Sequence, residues 1–342
     1  MACGSGVLYS LVSTLYFPSA ILAILVKHLL YMGLWQAGGR LWSATDEGSV
    51  REAVSRALEL GLNHFDTAEI YGWGRSERLL GSIIGNIDEV FIVSKVGGFR
   101  RSENDIVKAA KRIRERLRRD SIDLLLSHWP PPFYADICRV IHGLEKAVDK
   151  GYARSIGVSN YSSSLLEKAV YCTRKYEVKT DQVQYSLAYR TPELAIIPRA
   201  KELNITVMAW SPLAKGALAA STRRREPARM SDPVYRKVAN DKCLHTVLER
   251  VSRELKLTKA QVSISWIQSK GVEPVVGVRK PKHVEELSEI QEYVLPDWAV
   301  QSLDGASRRY LDIWGETYKP LGKMRVLPGF IQLVLIKLIG GV

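Results

Sequence analysis

The chain has 342 residues, 46% hydrophobic and 25% charged, which suffices for a sizeable core in one large domain or two ordinary ones. Its four cysteines (Cys3, Cys138, Cys172, Cys243) form no C-x-x-C pair, and its six histidines show neither H-E-x-x-H nor H-x-x-x-H spacing. The pattern argues against a metal site, predicts no disulfide framework and fits a reducing compartment. A net charge of +13 invites an anionic partner, nucleic acid first.

Residues 7–26 form a 20-residue stretch without a charge, long enough in principle to cross a bilayer. Ser10, Ser13, Thr14 and Ser19 weaken it, Pro18 lies at its centre, and no basic segment precedes it as in a signal peptide. Residues 1–28 therefore read as an apolar extension of a cytoplasmic protein, with membrane attachment as the alternative. Next comes a strand around "LLYMGLW" (29–35), and Asp46–Leu60 has helical periodicity. Further β-rich runs follow: "LNHFD" (62–66), "VFIVSK" (90–95), "IDLLLSH" (122–128), "ARSIGVS" (153–159), "TDQVQY" (180–185), "ITVMAW" (205–210) and "VEPVVGV" (272–278).

Between them lie predicted helices Glu103–Arg119, Asp136–Lys150, Ser163–Tyr176, Pro192–Leu203, Ser231–Leu255, Lys259–Lys270 and Pro281–Gln291. The densest basic run, "KAAKRIRERLRRD" (108–120), belongs to the first of these. Ile106, Ala110, Ile113 and Leu117 recur there at helical spacing, so its cations read as a solvated face rather than a nucleic-acid reader. The apolar C-terminal "VLPGFIQLVLIKLIGGV" (326–342), interrupted by Gln332 and Lys337, reads as a segment packed on the domain surface.

Eight strands alternating with helices imply parallel pairing and an α/β (β/α)8 TIM barrel, whose site lies at the carboxyl ends of the strands. A doubly wound sheet is the alternative, but no G-x-G-x-x-G follows any strand. In the barrel, Asp66, Lys95 and His128 end consecutive strands, and Tyr71 follows Asp66 in "HFDTAEIYG" (64–72). Together they make a proton-transfer device. A phenol with an ordinary pKa of about 10 is a poor acid at neutral pH, and a nearby ammonium lowers that value. An aspartate would hold the ammonium, and an imidazole could orient a carbonyl oxygen.

These stretches, with "FDTAEIYGWGRSERLLGSII" (65–84), "GLEKAVDKGYARSIGVSN" (143–160), "DQVQYSLAYR" (181–190), "VMAWSPLAKGAL" (207–218) and "EPVVGVRKPKHVEEL" (273–287), run in the order found in aldo-keto reductases. The chain resembles that family over roughly residues 33–310. The resemblance implies that Asp66, Tyr71, Lys95 and His128 are the catalytic tetrad, with Tyr71 as general acid, and that the cofactor is NADPH/NADP. It implies that Ser159, Asn160 and Gln182 hold the nicotinamide carboxamide and that Trp210 stacks on its ring. Ser211, Leu213 and Lys215 would lie over the pyrophosphate. Arg279 and Lys280 would bind the adenosine ribose phosphate, with His283 and Glu286 near the adenine and Gly277 also among the cofactor-binding residues. No metal is implied.

The resemblance sets the domains as an extension (1–28), a barrel (29–310) and a C-terminal tail (311–342). Departures are Leu34, where a small hydroxyl residue is usual, Leu287 in place of an asparagine, and both termini. The function implied is NADPH-dependent reduction of a small-molecule aldehyde or ketone. A regulatory cofactor-binding subunit of the potassium-channel β-subunit type is the alternative. Trp35, Trp73, Phe99 and Trp129 would wall an apolar or aromatic substrate pocket.

Overall fold

The computed structural model describes residues 29–38, 46–85, 87–219 and 227–338. Residues 1–28, and with them the expected extension, lie outside the described residues. Eight strands alternate with helices: β1 Tyr31–Gly33, β2 His64–Asp66, β3 Phe91–Val96, β4 Ile122–Ser127, β5 Ala153–Ser159, β6 Val178–Gln184, β7 Thr206–Trp210 and β8 Glu273–Gly277. Every neighbouring pair is parallel, and β1 closes on β8 with Tyr31 opposite Val275, giving the expected (β/α)8 barrel.

The outer layer comprises α1 Glu47–Glu59, α2 Arg75–Ile84, α3 Glu103–Leu117, α4 Ile137–Asp149, α5 Ser163–Tyr171 and α6 Ile196–Glu202. It continues with α7 Pro227–Met230, α8 Pro233–Val238, α9 Lys242–Leu255, α10 Lys259–Ser269, α11 Pro281–Ser288 and α12 Asp297–Ser307. The chain ends in α13 Lys319–Met324 and α14 Gly329–Leu338. Among the described residues, no helix is long and apolar enough to cross a membrane.

Strand alternation decides what faces inward. Val93, Leu124, Leu126, Met208 and Val275 pack together with Tyr31 as one cluster. Phe65, Ile92, Leu125 and Ile156, on the other strand face, join the larger core beneath the helices. Lys95 stands two residues beyond Val93, on the same strand face, which puts a cation at the carboxyl end of the barrel. Ile106, Ala110, Ile113 and Leu117 of α3 are fully buried, as their spacing predicted. Its cations are not all solvated, however: Arg116 pairs with Glu77, which is itself buried in α2.

Three expectations need correction. The helix predicted over Ser231–Leu255 is two helices, because Asp241 accepts from Leu244 N at 3.1 Å and caps the start of α9. Helix α2 went unforeseen. Buried Ser76 and Glu77 interrupt its apolar periodicity, and both are satisfied by tertiary partners: Ser76 Oγ donates to Leu34 O and Ser94 Oγ to Glu77 Oε1. Finally, Cys138 and Cys172 form a disulfide. The packing of α5 beside α4 brings their Cα atoms within 4.8 Å, which a separation of 34 residues does not reveal. With the bond present, cysteine usage no longer argues for a reducing compartment.

Candidate active site

The four strand-end groups converge. Lys95 Nζ donates to Asp66 Oδ1 at 2.6 Å and to Thr67 O at 2.8 Å, and both side chains are buried. The same ammonium lies 5.2 Å from the centre of the Tyr71 ring. The rings of Tyr71 and His128 meet edge to face, with centroids 5.6 Å apart. Gly72 and Gly74, both with positive φ, fold the segment that carries Tyr71. A side chain at Gly72 would strike Gly38 O.

The electrostatics differ from the expectation in one respect. The Tyr71 phenol is held well above its ordinary value by burial first and by Asp66 second, not lowered by the lysine. Burial draws Lys95 downward, against the pull of Asp66. His128 is driven well below the ordinary histidine value by burial and by Lys95, so its imidazole is neutral, and its Nδ1 is buried without a hydrogen bond. The cluster thus offers a protonated phenol, a neutral imidazole and an ammonium clamped by a carboxylate.

The residues expected around a cofactor divide into two groups. Ser159, Asn160, Gln182 and Trp210 form one network across the ends of β5, β6 and β7. Ser159 Oγ donates to Gln182 O at 2.7 Å, and Asn160 Nδ2 donates to Ser159 Oγ and to His128 O. Trp210 Nε1 donates to Asn160 Oδ1 at 3.0 Å, and the ring meets Tyr318 edge to face at 5.3 Å. Gln182 does more than was foreseen: its amide donates to Asp66 Oδ2 at 2.7 Å.

The second group lines the loops after β7 and β8. Ser211, Ala214, Lys215 and Gly216 all have positive φ, an unusual concentration for three non-glycine residues. Leu213 is half-buried beside them, and Lys215 pairs with buried Asp232 at 2.7 Å while lying over the Trp35 ring. Gly277 ends β8 where any side chain would collide with Gln36. Arg279 is half-buried, and Lys280 is the exposed N-cap of α11. Arg279 N lies 3.4 Å from His283 Nδ1. Glu286 is half-buried on the next turn, and Leu287 packs into the core.

Sequence reasoning missed two further features. Glu69, inside the same "HFDTAEIYG" stretch, accepts from Gly97 N and takes Arg100 in a two-pronged ion pair, so it organises the loop after β3. The C-terminal tail also enters the site. Gln332 Oε1 accepts from Trp129 Nε1 at 3.0 Å, and Ile336 packs with Ala68, Ile70 and Trp129. Tyr71, Trp73 and Phe99 border that cluster, whereas Trp35 sits apart with Lys215. The signal was present in the polar Gln332 interrupting an apolar run.

Comparison with known proteins places the chain in a family and supports the barrel fold. The model of the Aldo/keto reductase family matches residues 29–308. The aldo-keto reductase YhdN of Bacillus subtilis (strain 168) is 30% identical over 290 residues, covering 77% of this chain and 85% of that protein. The chloroplastic pyridoxal reductase of Arabidopsis thaliana is 31% identical over 277 residues, covering 74% and 76%. An aldo-keto reductase from Klebsiella pneumoniae, solved in complex with NADPH, superposes with a TM-score of 0.68 at 25% identity, over 84% of this chain and 93% of that one.

Proposed function

This chain belongs to the aldo/keto reductase family, and from that premise we propose that it uses NADPH to reduce an aldehyde or ketone to an alcohol, with Tyr71 as the general acid. The observation that carries the reading is the half-buried Tyr71 set between Lys95 and His128, with Lys95 bound to Asp66.

The residues present fit a dinucleotide phosphate. A loop with several left-handed residues in succession, as at Ser211 and Ala214–Gly216, is the kind of backbone that turns N–H groups toward an anion. Arg279 supplies a guanidinium fork and Lys280 a point charge, suited to a ribose phosphate dianion. Their position at the start of α11 adds the favourable end of the helix dipole. Ser159, Asn160 and Gln182 offer hydrogen-bonding groups for a carboxamide, Trp210 offers an aromatic face, and His283 and Glu286 border the adenine end. The NADPH complex of the Klebsiella relative supports the same cofactor.

The bound cofactor supplies the hydride to the carbonyl carbon. Tyr71, kept protonated by its burial, donates its proton to the oxygen as that becomes an alkoxide. Lys95 stabilises the phenolate left behind, and Asp66 keeps Lys95 charged and in place. The neutral His128 orients the carbonyl oxygen through a ring nitrogen. Trp73, Phe99 and Trp129 favour an apolar or aromatic substrate.

The test is Tyr71→Phe, which keeps the ring and removes the proton donor. NADPH oxidation with a panel of aldehydes and ketones should fall by roughly two to four orders of magnitude, while NADPH binding, read by fluorescence titration, survives. Near-normal turnover would remove Tyr71 from its role.

A further inference from the structure

Helix α14 has an inner side and an outer, largely apolar side. One side faces the protein through buried Gln332 and Ile336. The other side faces outward: Phe330 is 68% exposed and Val334 49%, with Leu335 beside them and Val326 at 65% just ahead of the helix. The same surface continues onto a distant part of the chain. Phe133 N donates to Arg325 O at 3.0 Å, Gly329 N donates to Tyr134 Oη at 3.3 Å, and Arg325 Nε donates to Pro131 O at 3.1 Å. Phe133 and Tyr134 are 67% and 50% exposed, their rings edge to face.

Six large apolar side chains on two joined segments are more than the scattered exposure of ordinary surfaces. The charge on these segments is predominantly positive. Arg101 lies over the Tyr134 ring, and Lys323, Arg325 and Lys337 accompany the helices. Residues 317–338 contain no carboxylate, and residues 130–137 contain only Asp136, whose Oδ1 accepts from Cys138 N at the start of α4.

We infer that this face, built from the α13–α14 hairpin and the Phe133–Tyr134 segment, is a docking surface for an anionic lipid bilayer. Phe330, Val334, Val326 and Phe133 enter the acyl boundary while the cations meet lipid phosphates, their stems lying along the apolar surface. Charge complementarity favours this occupant over a protein. The outward side chains of α14, apart from Lys337, carry no donor or acceptor, whereas protein interfaces hold about one hydrogen bond per 100–200 Å². The inner side of α14 rests on Trp129, so docking sets the site against the lipid. The inference goes beyond the reductase reading and is tested without turnover.

The experiment is flotation of the full chain with vesicles of phosphatidylcholine alone and of phosphatidylcholine mixed with phosphatidylglycerol. Flotation should require the anionic lipid. Phe330→Ser/Val334→Ser, both at exposed positions, should weaken it at least tenfold without altering the circular dichroism spectrum. Lys323→Gln/Lys337→Gln should weaken it by about fivefold per cation. Leu22→Asp/Leu25→Asp, which breaks the uncharged stretch 7–26, should leave it unchanged. Several results would overturn the inference: no flotation, equal flotation with neutral vesicles, or binding lost in the Leu22/Leu25 variant but kept in the Phe330/Val334 variant. A dimer in sedimentation that Phe330→Ser/Val334→Ser dissolves would do so as well, by assigning the face to a second copy.

Discussion

Gln182 Nε2 lies 2.7 Å from Asp66 Oδ2, across the barrel from the lysine that holds the other oxygen of the same carboxylate. Asp66 is thus gripped from two sides, by an ammonium and by an amide, and all three side chains are buried. An aspartate bound only to Lys95 would be free to rotate and loosen the ammonium beneath Tyr71. Gln182→Leu keeps the volume and deletes the second grip. It should slow carbonyl reduction roughly tenfold and destabilise the fold by about 1–3 kcal/mol, the usual cost of orphaning a buried acceptor. A variant with unchanged kcat and unchanged denaturant midpoint would show that Lys95 alone fixes Asp66.

Cofactor choice provides the second prediction. Arg279→Ala/Lys280→Ala removes two cations from the start of α11 without touching the tetrad. Charge-assisted contacts contribute roughly 1.5–3 kcal/mol each, so the NADPH dissociation constant should rise by roughly two to four orders of magnitude. The NADH constant should change little. Equal losses would mean that the pair does not read the ribose phosphate.

A third prediction tests the tail. Gln332 is fully buried, and its amide also donates to Met324 O and Leu327 O, tying α14 to the turn that precedes it. Gln332→Leu leaves the indole of Trp129 and two carbonyls without their partner. Local opening of the hairpin should become roughly tenfold more frequent, seen as faster tryptic cleavage at Lys323 and Arg325. A cleavage rate equal to that of the parent protein would place the stability of the hairpin elsewhere.

The barrel and the polar cluster at its rim were legible because both are written locally. Apolar runs ending in Asp66, Lys95 and His128 mark strand ends, and one closed topology brings such ends together. The grips on those residues were not legible. Gln182 reaches Asp66 across 116 positions, Gln332 reaches Trp129 across 203, and no periodicity spans such distances. The Tyr71 expectation failed for a related reason. The effect of a neighbouring lysine can be guessed from the motif, but the burial that outweighs it depends on Trp129, Ile336 and the rest of the surrounding fold. The disulfide was hidden likewise, since a helix pair must pack before Cys138 and Cys172 can meet.

That disulfide carries the fourth prediction. It closes a loop of 34 residues across α4 and β5. In the chain-entropy account, such a crosslink removes unfolded-state freedom equivalent to about 3–4 kcal/mol, less any native strain. Cys172→Ala, or reduction with a phosphine, should lower the melting temperature by several degrees. Titration with a thiol reagent under denaturing conditions should count two more thiols after reduction than before. An unchanged thiol count would mean that the pair is not joined in solution.

The last prediction concerns pH and the lower end of the barrel. Glu273 begins β8, where burial pushes its carboxyl up from 4.5 to about 7, partly offset by a hydrogen bond with Tyr31. The sign follows from the direction. Between about 4.5 and 7 the folded protein keeps a proton that the unfolded chain has released, so raising the pH through this window favours unfolding. The stabilising contribution is complete below the unfolded value and is lost as the pH passes the folded one. Glu273→Gln mimics the protonated state at every pH. The melting temperature of the variant should therefore match the parent near pH 4 and exceed it at pH 8, with the gap opening across the window. A gap of constant size from acid to alkali would show that Glu273 acts through packing and not through its proton.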